Sequence, residues 1–302
     1  MTAAPTSYRL KRALFILSFI VPTFLLFAAL TAYPLVRGLY ISFFKWSGYS
    51  GDMAFIGFDN YVRLFKDDII GTAIFNDFFL VFWKVALIML MATILAVALT
   101  RMNIKRTGLF RIILFFPNLI SVVVIGVLWR YIYNPSDIGF LNAFLSLFAS
   151  EPVKTVWLGS ESTAMWSILA PAVWAGIGFY MILLMAAIMN IPESLYEASN
   201  IDGASRWHQF KHITIPLIWE QMKVSIIHIV ITTLNGSFII VWLMTEGGPD
   251  NSTQVMGSYL YQIGFKQYHM GYASAIGVLI LVLTLVTSLI LNRLMKRDTI
   301  QM

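Results

Sequence analysis

The sequence contains no cysteine, which excludes disulfides, thiolate metal sites and a cysteine nucleophile. Charge is also scarce: Asp, Glu, Lys and Arg make up 12 % of the chain, against roughly 25 % in soluble domains. What charge there is lies in patches. Residues 13–32, 112–129, 162–192, 224–245 and 271–292 hold none, and residues 78–100 hold only Lys84. Neither a G-x-x-x-x-G-K-[ST] phosphate loop nor an H-E-x-x-H metal motif occurs. His208 and His212 stand at i, i+4 on a basic stretch without an acidic third ligand nearby in sequence. No catalytic residue, metal site or bound cofactor is expected of this chain.

Present instead is apolar sequence, 59 % of the residues. A helix rising about 1.5 Å per residue needs about 20 apolar residues to cross a hydrocarbon core of about 30 Å. Six segments reach or approach that length, so the expected fold is an all-α integral membrane protein of six transmembrane helices. Alternation places the N-terminus, residues 101–111, residues 190–223 and the C-terminus, from Arg293 through Lys296 and Arg297, on one side. These hold 13 basic and 5 acidic residues, against 7 and 10 on the other side. The positive-inside rule makes that first side, with both termini, cytoplasmic. The net charge of +6 then reports topology and contact with anionic lipid, not nucleic-acid binding. The first apolar run exceeds a signal-peptide core of about 7–15 residues and is read as a retained helix. Residues 1–302 are read as one membrane domain.

Between the spans, Tyr33-Pro34 opens an outward stretch to about Phe75. Tyr61, Val62, Leu64 and Phe65, interleaved with charge, predict a short interfacial helix there. Outward loops follow at residues 131–160 and 246–268, the latter opening on the turn Gly247-Gly248-Pro249-Asp250.

Residues 191–223 are unlike a plain membrane loop. Pro192 suits a first helical turn, with Glu193 and Glu197 near its positive dipole end. Asp202-Gly203 supplies a break, because glycine tolerates positive φ. Ser205 can cap a second helix to about His212, on which Ala204, Trp207 and Phe210 share a face. Pro216 is expected to end the segment. A cytoplasmic helix–turn–helix with an aromatic knob is a joint for a partner, and an amphipathic re-entry lying on the headgroups is the other reading of the same pattern.

The residues Glu197-Ala198-Ser199-x3-Gly203-x9-Ile213-x-Ile215-Pro216 resemble the EAA loop of permease subunits of ATP-binding-cassette importers. Ser199 replaces the usual second alanine and Ile215 the usual leucine. The resemblance implies that the loop docks in a cleft of an ATPase subunit. Glu197 would face a basic ATPase side chain, Gly203 would permit the bend, and Trp207 and Phe210 would form the knob. With no phosphate loop here, ATP and Mg would belong to that separate polypeptide. Further segments resemble the maltose and glycerol-phosphate branch of carbohydrate permeases: Gly57-Phe58-Asp59-Asn60-Tyr61, Tyr133-Asn134-Pro135, Thr245-Glu246-Gly247-Gly248-Pro249 and Gly271-Tyr272-Ala273-Ser274-Ala275. That branch implies a second homologous permease, two copies of the cassette ATPase, an extracytoplasmic solute-binding protein, a sugar cargo and a prokaryotic cell membrane.

A sugar path needs hydrogen-bond partners and flat apolar faces near mid-membrane. Candidates are Gly178, Phe179 and Tyr180 (with Gly176) on the fourth helix, and Asn235, Gly236 and Ser237 on the fifth. Asn118 and Ser121 join them on the third, after an expected kink at Pro117. Helix packing by the small residues is the competing reading. Lys84 is expected to snorkel to the headgroups, and His228 to be a packed, hydrogen-bonded histidine. Two rival functions remain open. One is an ion-gradient-driven carrier, disfavoured because no carboxylate falls within a predicted membrane core. The other is an importer of this type carrying phosphate, a polyamine or an amino acid.

Overall fold

The computed structural model describes residues 6–49, 51–102, 104–136 and 138–296; Arg297, counted above among the cytoplasmic-side cations, lies outside them. The chain is mostly helical. Among the described residues five helices are long and apolar enough to cross a membrane, and a bent pair makes a sixth if taken as one span. Contacts divide it into two compact units: the residues up to Lys66 with Gln262–Val278, and Asp67–Tyr261 with the residues from Leu279 on.

In the first unit, α1 (Thr6–Phe27) passes through a π-helical turn (Ala28–Ala32) into α2 (Tyr33–Ile41). The expected exit at Tyr33-Pro34 is therefore corrected. Pro34 sits in the first turn of α2, and the widened turn before it relieves the clash that proline makes with the preceding carbonyl. The large side chains of this rod, such as Phe15, Phe19, Phe24 and Leu30, are exposed, as on a surface meeting lipid or another protein. A hairpin follows, β1 (Phe44–Lys45) antiparallel to β2 (Ala54–Phe55), with Phe44 opposite Phe55. The expected short helix is α3 (Asp59–Leu64).

Two of the weak sequence motifs meet in this unit. Asn60 donates from Nδ2 to the carbonyls of Ser42 at 2.8 Å and Phe44 at 3.0 Å. The Gly271 amide donates to the Trp46 carbonyl at 3.2 Å. Any Cβ at Gly271 would collide with the Phe44 carbonyl, so glycine is required there. Arg63 lies 4.0 Å from the centre of the Tyr272 ring, a cation–π contact.

The second unit is built on α4 (Asp68–Arg101), α5 (Thr107–Leu119) and α6 (Val122–Ile132). After them come α7 (Phe140–Ser146), α8 (Glu161–Met189), α9 (Glu193–Ile201), α10 (Arg206–Gln209) and α11 (Ile215–Leu217). Then follow α12 (Trp219–Thr245) and α13 (Met256–Tyr261). The last helix, α14 (Met270–Leu294), begins in the first unit and ends in the second. Helix α4 packs along α8. Ala92 and Ala96, both wholly buried, lie one turn apart and let the backbones approach, as small residues do between membrane helices. Ile88, Ile168, Met181, Leu184 and Ile188 fill the seam.

Two expectations change here. The second span is a 34-residue helix, about 51 Å long at 1.5 Å per residue. It therefore takes in Asp77, which the predicted span 78–100 left outside. The third span is not one rod: α5 and α6 meet at 96°. Pro117 removes one helical donor and crowds the preceding turn. The helix stops two residues later, at Leu119, and Ser121 restarts it by accepting from the Val123 amide at 3.3 Å.

Candidate functional site

The loop between α8 and α12 closes on itself and is bolted to α4. Helix α9 ends at Ile201, and Gly203 just past it turns the chain with a φ of +76°, a conformation that side chains with Cβ atoms resist. Ser205 caps α10 by accepting from the His208 amide at 3.3 Å. Gln209 reaches back from α10, donating to Ser199 Oγ at 2.8 Å and Asn200 Oδ1 at 2.6 Å. The Tyr196 and Thr214 hydroxyls are 3.0 Å apart, both buried. The second arm differs from expectation. Helix α10 continues as a π-helical turn (Phe210–Thr214) into α11, so the helical run passes through Pro216 and breaks at Ile218, just before α12. As at Pro34, the π-helical turn lets the chain stay helical through the proline. Ile213 packs against the apolar core of the unit.

The bolt was not legible in the sequence. Arg101, the last residue of α4, donates to both Glu193 oxygens at 2.7 and 3.1 Å. Its guanidinium also lies 3.6 Å from the centre of the Tyr196 ring. The hydrogen bond from Arg101 holds the Glu193 carboxyl below the usual carboxylate range. Outward from this brace, Glu197, Ala198, Ile201 and Trp207 are exposed. The rings of Trp207 and Phe210 pack at a tilt with their centres 5.3 Å apart, which forms the aromatic knob, Trp207 being its exposed member. His208 and His212 stack beside it at 4.1 Å.

The candidate path residues fall into separate places. Gly178 is buried, and a Cβ there would meet the Leu114 carbonyl; it is where α5 and α8 touch backbone to backbone. Tyr180 is buried, and its hydroxyl is 2.9 Å from His228 Nδ1. Phe179 lies 5.8 Å from the same imidazole. His228 is hydrogen-bonded as expected, yet exposed rather than packed inside. Asn235 is exposed and bonds to the Ile231 carbonyl at 2.8 Å and Thr284 at 3.4 Å. Ser237 is buried and donates to Asp77 Oδ1 at 2.8 Å. Asp77 Oδ2 accepts from the Met256 amide at 2.8 Å. A carboxylate does occur inside a membrane-length helix, which corrects the premise used against a carrier. Both of its oxygens are occupied, and Asp77 is wholly buried.

A hollow of about 250 Å³ opens where α5 breaks, with Lys84, Pro117, Asn118, Thr232, Gly236 and Ser237 in its wall. Of the named path candidates it collects Asn118, Gly236 and Ser237. Asn118, Thr232, Asn235 and Gly236 are exposed. Thr232, Asn235 and Gly236 make with His228 a polar stripe on one face of α12, at spacings of three and four residues. Lys84 also lines this hollow. A larger hollow of about 780 Å³ brings Tyr133-Asn134-Pro135 together with Thr245, Glu246, Gly248 and Pro249, so the second pair of weak motifs also meets.

Comparison with known proteins decides the family. Residues 88–298 match the binding-protein-dependent transport system inner membrane component family. The chain belongs to this family. It is 32 % identical to the diacetylchitobiose uptake system permease protein NgcF of Streptomyces coelicolor, over 91 % of this chain and 80 % of that one. It is 30 % identical to the arabinooligosaccharides transport system permease protein AraP of Bacillus subtilis, over 90 % and 85 %. Its fold matches a chain of the bacterial alginate ABC transporter solved with an alginate pentasaccharide-bound periplasmic protein. The TM-score there is 0.84 at 24 % identity, covering 98 % of this chain and 99 % of that one. A binding-protein-dependent permease is thus a multi-pass component of the inner membrane, and its part in the system is transport.

Proposed function

We propose that this permease forms half of the path of an ATP-driven importer of saccharides. The observation that carries the reading is the loop between α8 and α12. Its inner side is braced by Arg101, Glu193, Tyr196 and Thr214, while Glu197, Ile201 and Trp207 stand free on its outer side. A joint that must push on membrane helices needs that division: a stiff attachment inward and an apolar, charge-rimmed contact outward. A cassette ATPase, in two copies with ATP and Mg, would grip this outer side. Motion of the loop would reach α4 through Arg101, and α12 through the helical run of the π turn and α11 that leads into it.

In this reading the bent pair α5–α6 is the third of six spans, and both termini lie with the loop in the cytoplasm. The polar stripe of α12 and the hollow beside Asn118 face a second, homologous permease that completes the path. Neutral donors and acceptors beside aromatic rings suit sugar hydroxyls and C–H faces. The uptake of saccharides by relatives about 30 % identical over most of the chain supports that cargo class. An extracytoplasmic binding protein would deliver it.

The test is ATP-driven uptake in proteoliposomes holding the permease with its operon-encoded partners. Saccharide accumulation that requires both ATP and the binding protein is expected. Uptake driven by an ion gradient without ATP would contradict the reading.

A further inference from the structure

The hollow at the α5 break contains one charge that nothing among the described residues answers. Lys84 is the sole charged residue of α4 between Phe78 and Thr100, and it lines the hollow with Asn118, Thr232, Thr233 and Ser237, all neutral. An ammonium within a membrane-length helix is costly, and such groups pair or face a water-filled cavity. Among the described residues the ion pairs are Arg101–Glu193 and Lys223–Glu220. Lys84 makes neither an ion pair nor a hydrogen bond. The carboxylate on its own helix, Asp77, lies about two turns away and is engaged by Ser237 and the Met256 amide.

A neutral sugar needs no cation. An ammonium with three free donors, set among amide and hydroxyl groups in a low-dielectric cleft, is an anion receptor. We infer that the cargo is an acidic saccharide, bearing a carboxylate, sulfonate or sulfate, and that Lys84 receives its anionic group in the path. Asn118 and Thr232 then serve the hydroxyls. This inference rests on the saccharide-importer reading above and names the class of cargo within it. It also assigns Lys84 a specificity role for which a neutral cargo offers no use.

The experiment has two arms. In the first, the operon-encoded binding protein is loaded from a plant and algal polysaccharide digest containing uronic, sulfated and neutral oligosaccharides. The retained ligand is weighed by native mass spectrometry. An anionic oligosaccharide is expected; a neutral one overturns the inference and leaves the importer standing. Retention of no saccharide removes the saccharide reading itself. In the second arm, uptake of the retained ligand is measured in proteoliposomes of the whole importer carrying Lys84→Gln or Lys84→Arg. Loss of about tenfold or more in Lys84→Gln, with Lys84→Arg largely active and both complexes assembled at wild-type yield, is expected for a charge contact. Wild-type uptake by Lys84→Gln overturns the inference. Failure of Lys84→Gln to assemble does so too, because it makes Lys84 the counter-ion of a carboxylate on the second permease.

Discussion

Arg101 and Glu193, 92 residues apart in sequence, form a two-point ion pair at 2.7 and 3.1 Å where α4 ends and α9 begins. The same guanidinium covers Tyr196, whose hydroxyl meets Thr214. One side chain thus ties a long membrane helix to both arms of the loop proposed to meet the ATPase.

Removing that tie should uncouple rather than unfold. Arg101→Ala or Glu193→Gln is expected to leave the complex assembled and to lower cargo-stimulated ATP hydrolysis by about tenfold. Arg101→Lys should rescue only in part, because a point charge cannot hold both oxygens. The pH dependence has a fixed sign. Arg101 holds Glu193 below its unfolded value, so the pair's contribution is complete above that unfolded value. It is lost only as pH falls through the lower folded one. Coupling should therefore be flat through neutral pH and fail on the acid side. ATPase assays across pH on wild type and Glu193→Gln check this.

Asp77 predicts a stability effect with little effect on cargo choice. Asp77→Ala leaves the buried Ser237 hydroxyl and the Met256 amide without their acceptor, a loss of about 1–3 kcal/mol. Asp77→Asn keeps one acceptor oxygen and should lose less. Thermal unfolding of the detergent-solubilised complex separates the two variants.

Two glycines in the path region should behave oppositely. At Gly178 an added Cβ runs into the Leu114 carbonyl, while at Gly236 it meets nothing within 4 Å. Gly178→Ala is expected to cost about 1–3 kcal/mol by overpacking. Gly236→Ala should fold normally and change only uptake. The same unfolding measurement, followed by transport assays, distinguishes packing from lining.

Gly203 is a test of conformation and not of space. A Cβ there also meets nothing within 4 Å, yet its φ is +76°. Gly203→Val, strained by about 1–2 kcal/mol, should insert normally and lose ATP-driven uptake. Gly203→Asn, which tolerates that region, should retain most of it. Normal uptake by the valine variant would contradict the coupling role.

The spans were readable because membrane insertion demands long uncharged runs, and such runs are local. The positive φ of Gly203 and the cap at Ser205 were readable for the same reason, since both are properties of neighbouring residues. What escaped were relations across the chain. Nothing near Arg101 announces Glu193, and nothing near Asp77 announces Ser237 or Met256. The proline positions misled in two ways. Pro34 and Pro216 follow π-helical turns that let the chain remain helical, whereas Pro117 precedes a sharper break than a kink. Gly178, Phe179 and Tyr180 looked like a path because they combine close approach, an aromatic face and a hydroxyl. The helix turns Gly178 toward α5, while Asn118 and Ser237 reach the hollow with Lys84.

The central claim is that this permease works only within an ATP-driven assembly. Its most direct test is gentle detergent purification of the tagged protein from its native cells, with mass spectrometry of what accompanies it. Recovery of a second homologous permease and two copies of a cassette ATPase is the predicted result. Recovery of the protein alone, under conditions that keep a control importer whole, would contradict it.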